Sequence, residues 1–352
     1  MSAEASPVTR TEAWFVGHGL PYFVPRERAA VRDALQPRRT LPVGLGVGLV
    51  AVALAVALSW LVGDLSLGAA GVTFVGVLAV ATYAVTALRG RPILRWSVTR
   101  TMGSLPMLLP MVTRALPLLL LFVTFLFINA EVWMLSASLD GGVLWLTVLL
   151  FAVLAVVFLL VRLPEELDGR DDGVDEAQLR RACAGTPLEG EVDRLLRPGG
   201  DLDLVDSRVQ GLERANLVLV LLVTQIAQVL VLSVAVFLFF VVFGSVVMKD
   251  EVASAWIGSP THHLPGLSNL SVELVQVSVF LAAFSGLYFT VVVVTDETYR
   301  GQFFTGVMAE LDQALGVRAA YLTLRQRSAD HGPPTRRLPA PEGTAPVPSE
   351  RE

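Results

Sequence analysis

The chain has 352 residues, of which 53% are hydrophobic and only 17% charged, and its mean hydropathy is +0.61. Average soluble domains carry about a quarter charged residues, so this apolar excess is too large to hide in one water-soluble core. The net charge of −5, with no Lys/Arg cluster interleaved with aromatics, argues against a nucleic-acid partner; the single cysteine, Cys183, excludes an intramolecular disulfide and a thiolate metal cluster.

Residues 1–40 hold six arginines and no apolar h-region, so they read as a cytoplasmic N-terminal arm and not as a cleaved signal. Trp14, Phe15, Tyr22 and Phe23 give the arm an aromatic character, and Pro25 can start a short helix through Leu35, lying at the membrane surface. Six apolar stretches follow, at 41–62, 67–88, 115–135, 143–161, 217–248 and 272–294. About 20 helical residues cross the roughly 30 Å hydrocarbon layer, and five of the stretches fit that length. The fifth has 32 residues, about 48 Å as one helix. It must tilt, protrude or break near Gly244, two short spans with a re-entrant turn being the other solution.

Basic residues set the orientation, because Lys and Arg in short loops stay in the cytoplasm. Of 27, six precede helix 1, five lie between helices 2 and 3, eight between 4 and 5, and seven after 6, which leaves Lys249 alone outside. Trp60, Trp133, Trp145 and Trp256 fall at the outer boundary, where the indole ring prefers to sit.

The expected fold class is therefore all-α: a polytopic protein of the plasma membrane, both termini cytoplasmic, with six transmembrane helices in three antiparallel hairpins and short cytoplasmic amphipathic helices. Helices 1–4 occupy 41–163 and helices 5–6 occupy 214–295. Between them, the loop 164–213 carries 14 acidic residues and helical stretches near 175–184 and 189–196, and is too short for a catalytic domain with its own core. Phe303, Val307, Leu311 and Leu315 give 296–327 the spacing of an amphipathic helix, and the Pro-rich tail 328–352 reads as disordered.

Polar groups inside spans are the best functional hints, since a charge at the helix centre costs about 2.5 to 3.5 kcal/mol on insertion scales. In helix 3 these are Asn129 and Glu131; at the outer end of helix 6, Glu273 and Gln276 share a face. With His262 and His263 of the connecting loop, Glu131 and Glu273 could surround one cation, since imidazole and carboxylate suit zinc, iron or copper. The plainer reading leaves both carboxylates and both histidines at the water interface. Deeper lie Thr224, Gln225 and Gln228 of helix 5, with Ser285 of helix 6 as a hydrogen-bond partner; they fit interhelical bonding or a solute pathway. Arg114, Arg214, Asp296, Glu297, Tyr299 and Arg300 gather at cytoplasmic helix ends, as anchors and salt bridges or as a vestibule or docking site. Small residues four apart, Gly44/Gly48, Ala51/Ala55 and Ala282/Gly286, allow close helix packing or a homo-oligomer.

No phosphate loop, HExxH helix, GxSxG elbow or CxxC pair occurs. No catalytic residue and no cofactor is expected.

The stretches Gly19-Leu20-Pro21-Tyr22-Phe23-Val24, Phe127-Ile128-Asn129-Ala130-Glu131-Val132-Trp133 and Phe284-Ser285-Gly286-Leu287-Tyr288-Phe289, with Thr295-Asp296-Glu297-Thr298-Tyr299-Arg300, resemble uncharacterised multi-pass integral membrane proteins of high-GC Gram-positive bacteria. That resemblance implies a helical membrane protein and supplies no catalytic residue. Three functions stay open: a non-enzymatic scaffold in the lipid bilayer that binds a cytoplasmic protein partner, a channel or transporter using helices 3, 5 and 6, and an outer-face metal-binding protein.

Overall fold

The structure is a computed structural model, and it describes residues 6–63, 65–139, 141–168, 176–196, 209–295 and 297–330. Among the described residues it is all-helical apart from one short β-hairpin. In chain order come α1 (Pro7–Gly17), a single 3-10 turn (Pro21–Phe23), α2 (Pro25–Ala34), α3 (Pro37–Val62) and α4 (Leu65–Thr86). Then follow α5 (Gly90–Phe127), α6 (Ala130–Ala137), α7 (Gly142–Asp168), α8 (Glu176–Cys183) and α9 (Glu189–Leu195). The chain continues through α10 (Leu212–Val247), α11 (Asp250–Ile257), the antiparallel strands β1 (His263–Leu264) and β2 (Leu267–Ser271), α12 (Val272–Thr295) and α13 (Glu297–Asp330).

Among the described residues five helices are by themselves long and apolar enough to cross a membrane: Pro37–Leu61, Gly68–Thr86, Gly142–Glu165, Leu212–Val247 and Val272–Val292. A sixth span exists only if Leu120–Phe127 and Ala130–Ala137, bent by 72° at Ile128 and Asn129, are taken together. The third expected span is therefore not a straight rod. Its bend has two causes: the Asn129 side chain accepts the Glu131 N–H at 2.8 Å and so starts a new helix, and Trp133 Nε1 donates to the Phe127 carbonyl at 2.7 Å across the break.

The fifth stretch, by contrast, is one helix. Its 36 residues extend about 54 Å, well beyond a hydrocarbon core. Gly244 does not break it; a β-carbon there would lie 2.2 Å from Leu274 Cδ1, so the glycine lets α12 approach. The arginine-bearing stretch after α4, expected as a loop, instead starts α5, whose Ile93, Ser97 and Thr101 recur every four residues and are buried, with α10 the principal neighbour of that helix.

The apolar helices differ sharply in burial. α12 sits at the centre, packed against α10, α7, α6 and α5, with Val277 and Leu281 fully buried. α3 touches chiefly α4 and turns Leu49, Val56 and Trp60 outward, at 72%, 65% and 89% exposed, a surface that only lipid or another apolar helix satisfies. Of the three expected hairpins, α3/α4 and α10/α12 are packed pairs; α7 packs against α12, α4 and α10, and α5 against α10. Trp60 and Trp145 are exposed, but Trp133, expected at the lipid interface, is fully buried between Phe127 and Trp256.

At the arginine-rich end α1, the 3-10 turn, α8, α9 and α13 pack into a helical cap that meets the first turns of α10 through the 3-10 turn and α13. The arm does not spread its aromatics over a surface: Phe15, Tyr22 and Phe23 are buried, and Phe15 meets Phe23 and Tyr321 edge-to-face at 5.4 and 5.7 Å. α13 buries Val307 and Leu311 as its spacing predicted, but also Val317, Ala319, Ala320 and Tyr321 around the rest of its girth. One continuous hydrophobic core links this cap with the apolar bundle.

Candidate functional site

The most strongly organised polar group lies where α10 enters the cap. Glu213, in the first turn of α10, is 4% exposed; its Oε2 accepts from Arg318 Nε and Nη2 at 2.9 and 2.6 Å, and its Oε1 from Arg28 Nη2. One helical turn on, the fully buried Asn216 accepts the Tyr22 N–H at 2.8 Å and donates to the Gly19 carbonyl at 2.9 Å. Arg28 Nε also donates to the Tyr22 carbonyl, and the Tyr22 hydroxyl donates to the Leu88 carbonyl at the α4–α5 turn. Gly19, at φ +75°, makes the turn possible, and its missing β-carbon leaves room for Trp96 of α5. The arm, α5, α10 and α13 are thus held at one point.

This group carries two positive charges against one negative in a nearly dry setting. Desolvation, aided by Arg318, Arg32 and Arg325, lowers the pKa of Arg28, and Glu213 opposes that fall. Arg318 also stacks over the Phe23 ring at 5.9 Å. A second tie joins Arg100 of α5 to Glu310 of α13 at 2.8 Å; burial, more than Arg100 offsets, raises that carboxyl's pKa. The Tyr321 hydroxyl donates to Glu12 at 2.8 Å and is pushed up to about 12 by burial and by that carboxylate. Tyr22 and Phe23 stood out in the sequence only as aromatics of the arm, and the charged groups only through their neighbour Arg214. The available signal was Glu213 and Asn216, three apart, opening a long apolar helix.

The polar residues expected inside the spans divide into satisfied and unsatisfied groups. Thr224 bonds back to the Val220 carbonyl and Ser285 to the Leu281 carbonyl, so Ser285 is not the partner expected for the amides. Thr290 does the same to Gly286. Gln225 and Gln228 are buried at 3% and 8%, yet among the described residues Gln225 Nε2 and Gln228 Oε1 have no hydrogen-bond partner, nor has the buried Ser278 hydroxyl of α12. Asn129 is a helix cap at the bend, and Glu131 beside it is exposed.

At the opposite end the structure brings together only part of the expected cation group. His262 Nδ1 lies 2.8 Å from Glu273 Oε1, and the His262 N–H reaches both carboxylate oxygens at 3.2 and 3.1 Å. His263 turns instead to Asp250, at 3.2 Å. Gln276 is half-buried a turn into α12. Among the described residues no three His, Cys, Asp or Glu side chains converge as metal ligands. The Glu273 carboxylate closes the β-hairpin onto the start of α12, helped by the Leu274 N–H bond to Ser271 Oγ at 3.1 Å. Asp296 and the side chains of Arg114, Glu297, Tyr299, Arg300 and Phe303 lie outside the described residues, as does the tail from 331.

No protein family, curated protein or solved structure matches the chain.

Proposed function

We propose that this chain is a non-enzymatic plasma-membrane scaffold whose arginine-rich face, in the cytoplasm, presents the helical cap to a protein partner. The observation that carries this reading is the continuity of α5 and α10, which run out of the apolar bundle into the cap, α10 clamped there through Glu213, Arg28, Arg318 and Asn216 and α5 through the Arg100–Glu310 pair. A cap fixed so firmly to the bundle is suited to holding a partner at a set position over the bilayer. A photo-crosslinking residue at exposed Ala309 or Gly190 should give a discrete protein adduct in cells. Adducts to lipid alone from both positions would sink the idea.

A second reading, a channel or transporter, is favoured by the unpartnered Gln225 Nε2, Gln228 Oε1 and Ser278 Oγ, which a file of water or a polar solute would satisfy. Replacing Gln225 and Gln228 together by Leu separates the two. A transport route loses proton or monovalent-cation flux across vesicles, whereas a scaffold has no flux to lose and keeps its partner adduct.

A further inference from the structure

The junction of α2, α3 and α4 holds an open recess of about 690 Å³, a size within the range of small-molecule sites, lined in part by Ala34, Arg38, Arg39, Tyr83, Thr86 and Arg89. Its position follows from the chain: α3 begins at Pro37, so Arg38 and Arg39 stand on the first turn of a helix that is apolar from Leu41 to Leu58. Both arginines are exposed, and neither has an acidic partner among the described residues. Asp33, the nearest carboxylate in sequence, accepts from Gln36 Nε2 at 3.1 Å, and Glu27 is engaged with Arg89 at 3.1 Å.

Arg89 completes the third side in an unusual way. It is the one described non-glycine residue at positive φ, +53°, a conformation unfavourable for a residue with a β-carbon. The turn closes tightly on the end of α4, where a β-carbon on the following Gly90 would meet the Ala84 carbonyl oxygen at 2.6 Å. The walls are fixed too: the Tyr83 hydroxyl donates to the Ala34 carbonyl at 2.5 Å, and Tyr22 holds the Leu88 carbonyl. Immediately beyond Arg39, α3 carries an apolar notch lined by Thr40, Gly44, Gly48 and Val52, and β-carbons on either glycine would meet nothing within 4 Å.

A basic recess at the polar end of a lipid-facing helix, continued along that helix by an apolar notch, matches a molecule with an anionic head and an acyl tail. We infer that this recess binds the phosphate headgroup of an anionic bilayer phospholipid through Arg38, Arg39 and Arg89, with an acyl chain against the Gly44/Gly48 notch. Charge complementarity selects this occupant over a second apolar helix, which would leave Arg38 and Arg39 without an anion at its end. The inference rests on α3 and α4 being membrane spans and does not depend on the protein partner proposed above.

The test is native mass spectrometry of the detergent-purified full chain, titrated with phosphatidylglycerol, phosphatidylcholine or inorganic phosphate. Wild type should retain phosphatidylglycerol selectively. The R38Q/R39Q variant should bind it roughly thirtyfold more weakly, on the scale for two basic residues at an anionic surface, with an unchanged melting temperature because both side chains are exposed. R10Q/R181Q, which removes the same charge from the cap, should bind like wild type. Equal retention by R38Q/R39Q and wild type overturns the site, as does equal loss in both double variants, which would mean bulk electrostatics. Displacement of the lipid by inorganic phosphate at matching concentration would assign the recess to a free anion instead.

Discussion

Glu213 holds one negative charge between two guanidinium groups, with side chains of Glu213 and Arg318 only 6% and 8% exposed. Removing one partner of such a group leaves the others charged and dry, so E213A should lower stability by about 3 to 5 kcal/mol in thermal unfolding of the detergent-solubilised protein. Replacing all three members by apolar residues of similar volume should restore most of that loss, because the ions cost about as much to bury as their attraction returns. Cys183 offers a second test at this scale. It is fully buried, and desolvation pushes its thiol up to about 11. It should resist maleimide at neutral pH until the cap unfolds. The sign of the linkage is fixed: a raised folded pKa means full stability below the ordinary thiol value of 9.0, lost progressively as pH rises towards 11. A melting temperature that does not fall over that alkaline interval in wild type relative to C183A contradicts the assignment.

Two elements carry their own predictions. The bend between α5 and α6 depends on the Asn129 cap and the Trp133 indole bond. N129A should cost about 1 kcal/mol, N129D much less, since Asp caps as well as Asn; similar losses in both variants would remove the cap from the explanation. At the α10–α12 contact, a β-carbon on Gly286 would lie 2.4 Å from Ser233 Oγ. G286L should force the central pair apart and cost about 1 to 3 kcal/mol, read as a lower melting temperature, whereas leucine at exposed Gly103 should be near neutral. These positions also explain which element features could be read early. Hydropathy found α3, α4, α7, α10 and α12, because a lipid-facing helix must be apolar over about 20 residues whatever its neighbours. It missed the bend, since Asn129 acts through a bond to one backbone N–H and leaves the apolar run unbroken. It also misplaced Trp133, because an indole prefers the interface or a satisfied core site, and only the position of the Phe127 carbonyl decides between them.

At the scale of the molecule, α3 and α4 flank a bundle centred on α12, and the arginine-rich end is a folded cap continuous with that bundle. Composition and hydropathy alone determined that the chain is an all-helical protein with several candidate spans and where most of those spans begin, because transfer of apolar surface from water is additive along the chain. Only the tertiary structure decided which polar groups meet. Glu213 and Arg318 are 105 residues apart in the chain, and Asn216 and Gly19 are 197 apart. Such pairs depend on how helices pack, and neither spacing nor composition encodes that directly. Packing likewise left Gln225 and Gln228 without Ser285 and sent His263 to Asp250. It placed Arg38, Arg39 and Arg89, three basic residues that the sequence marks only as orientation signals, around one recess beside the candidate spans α3 and α4.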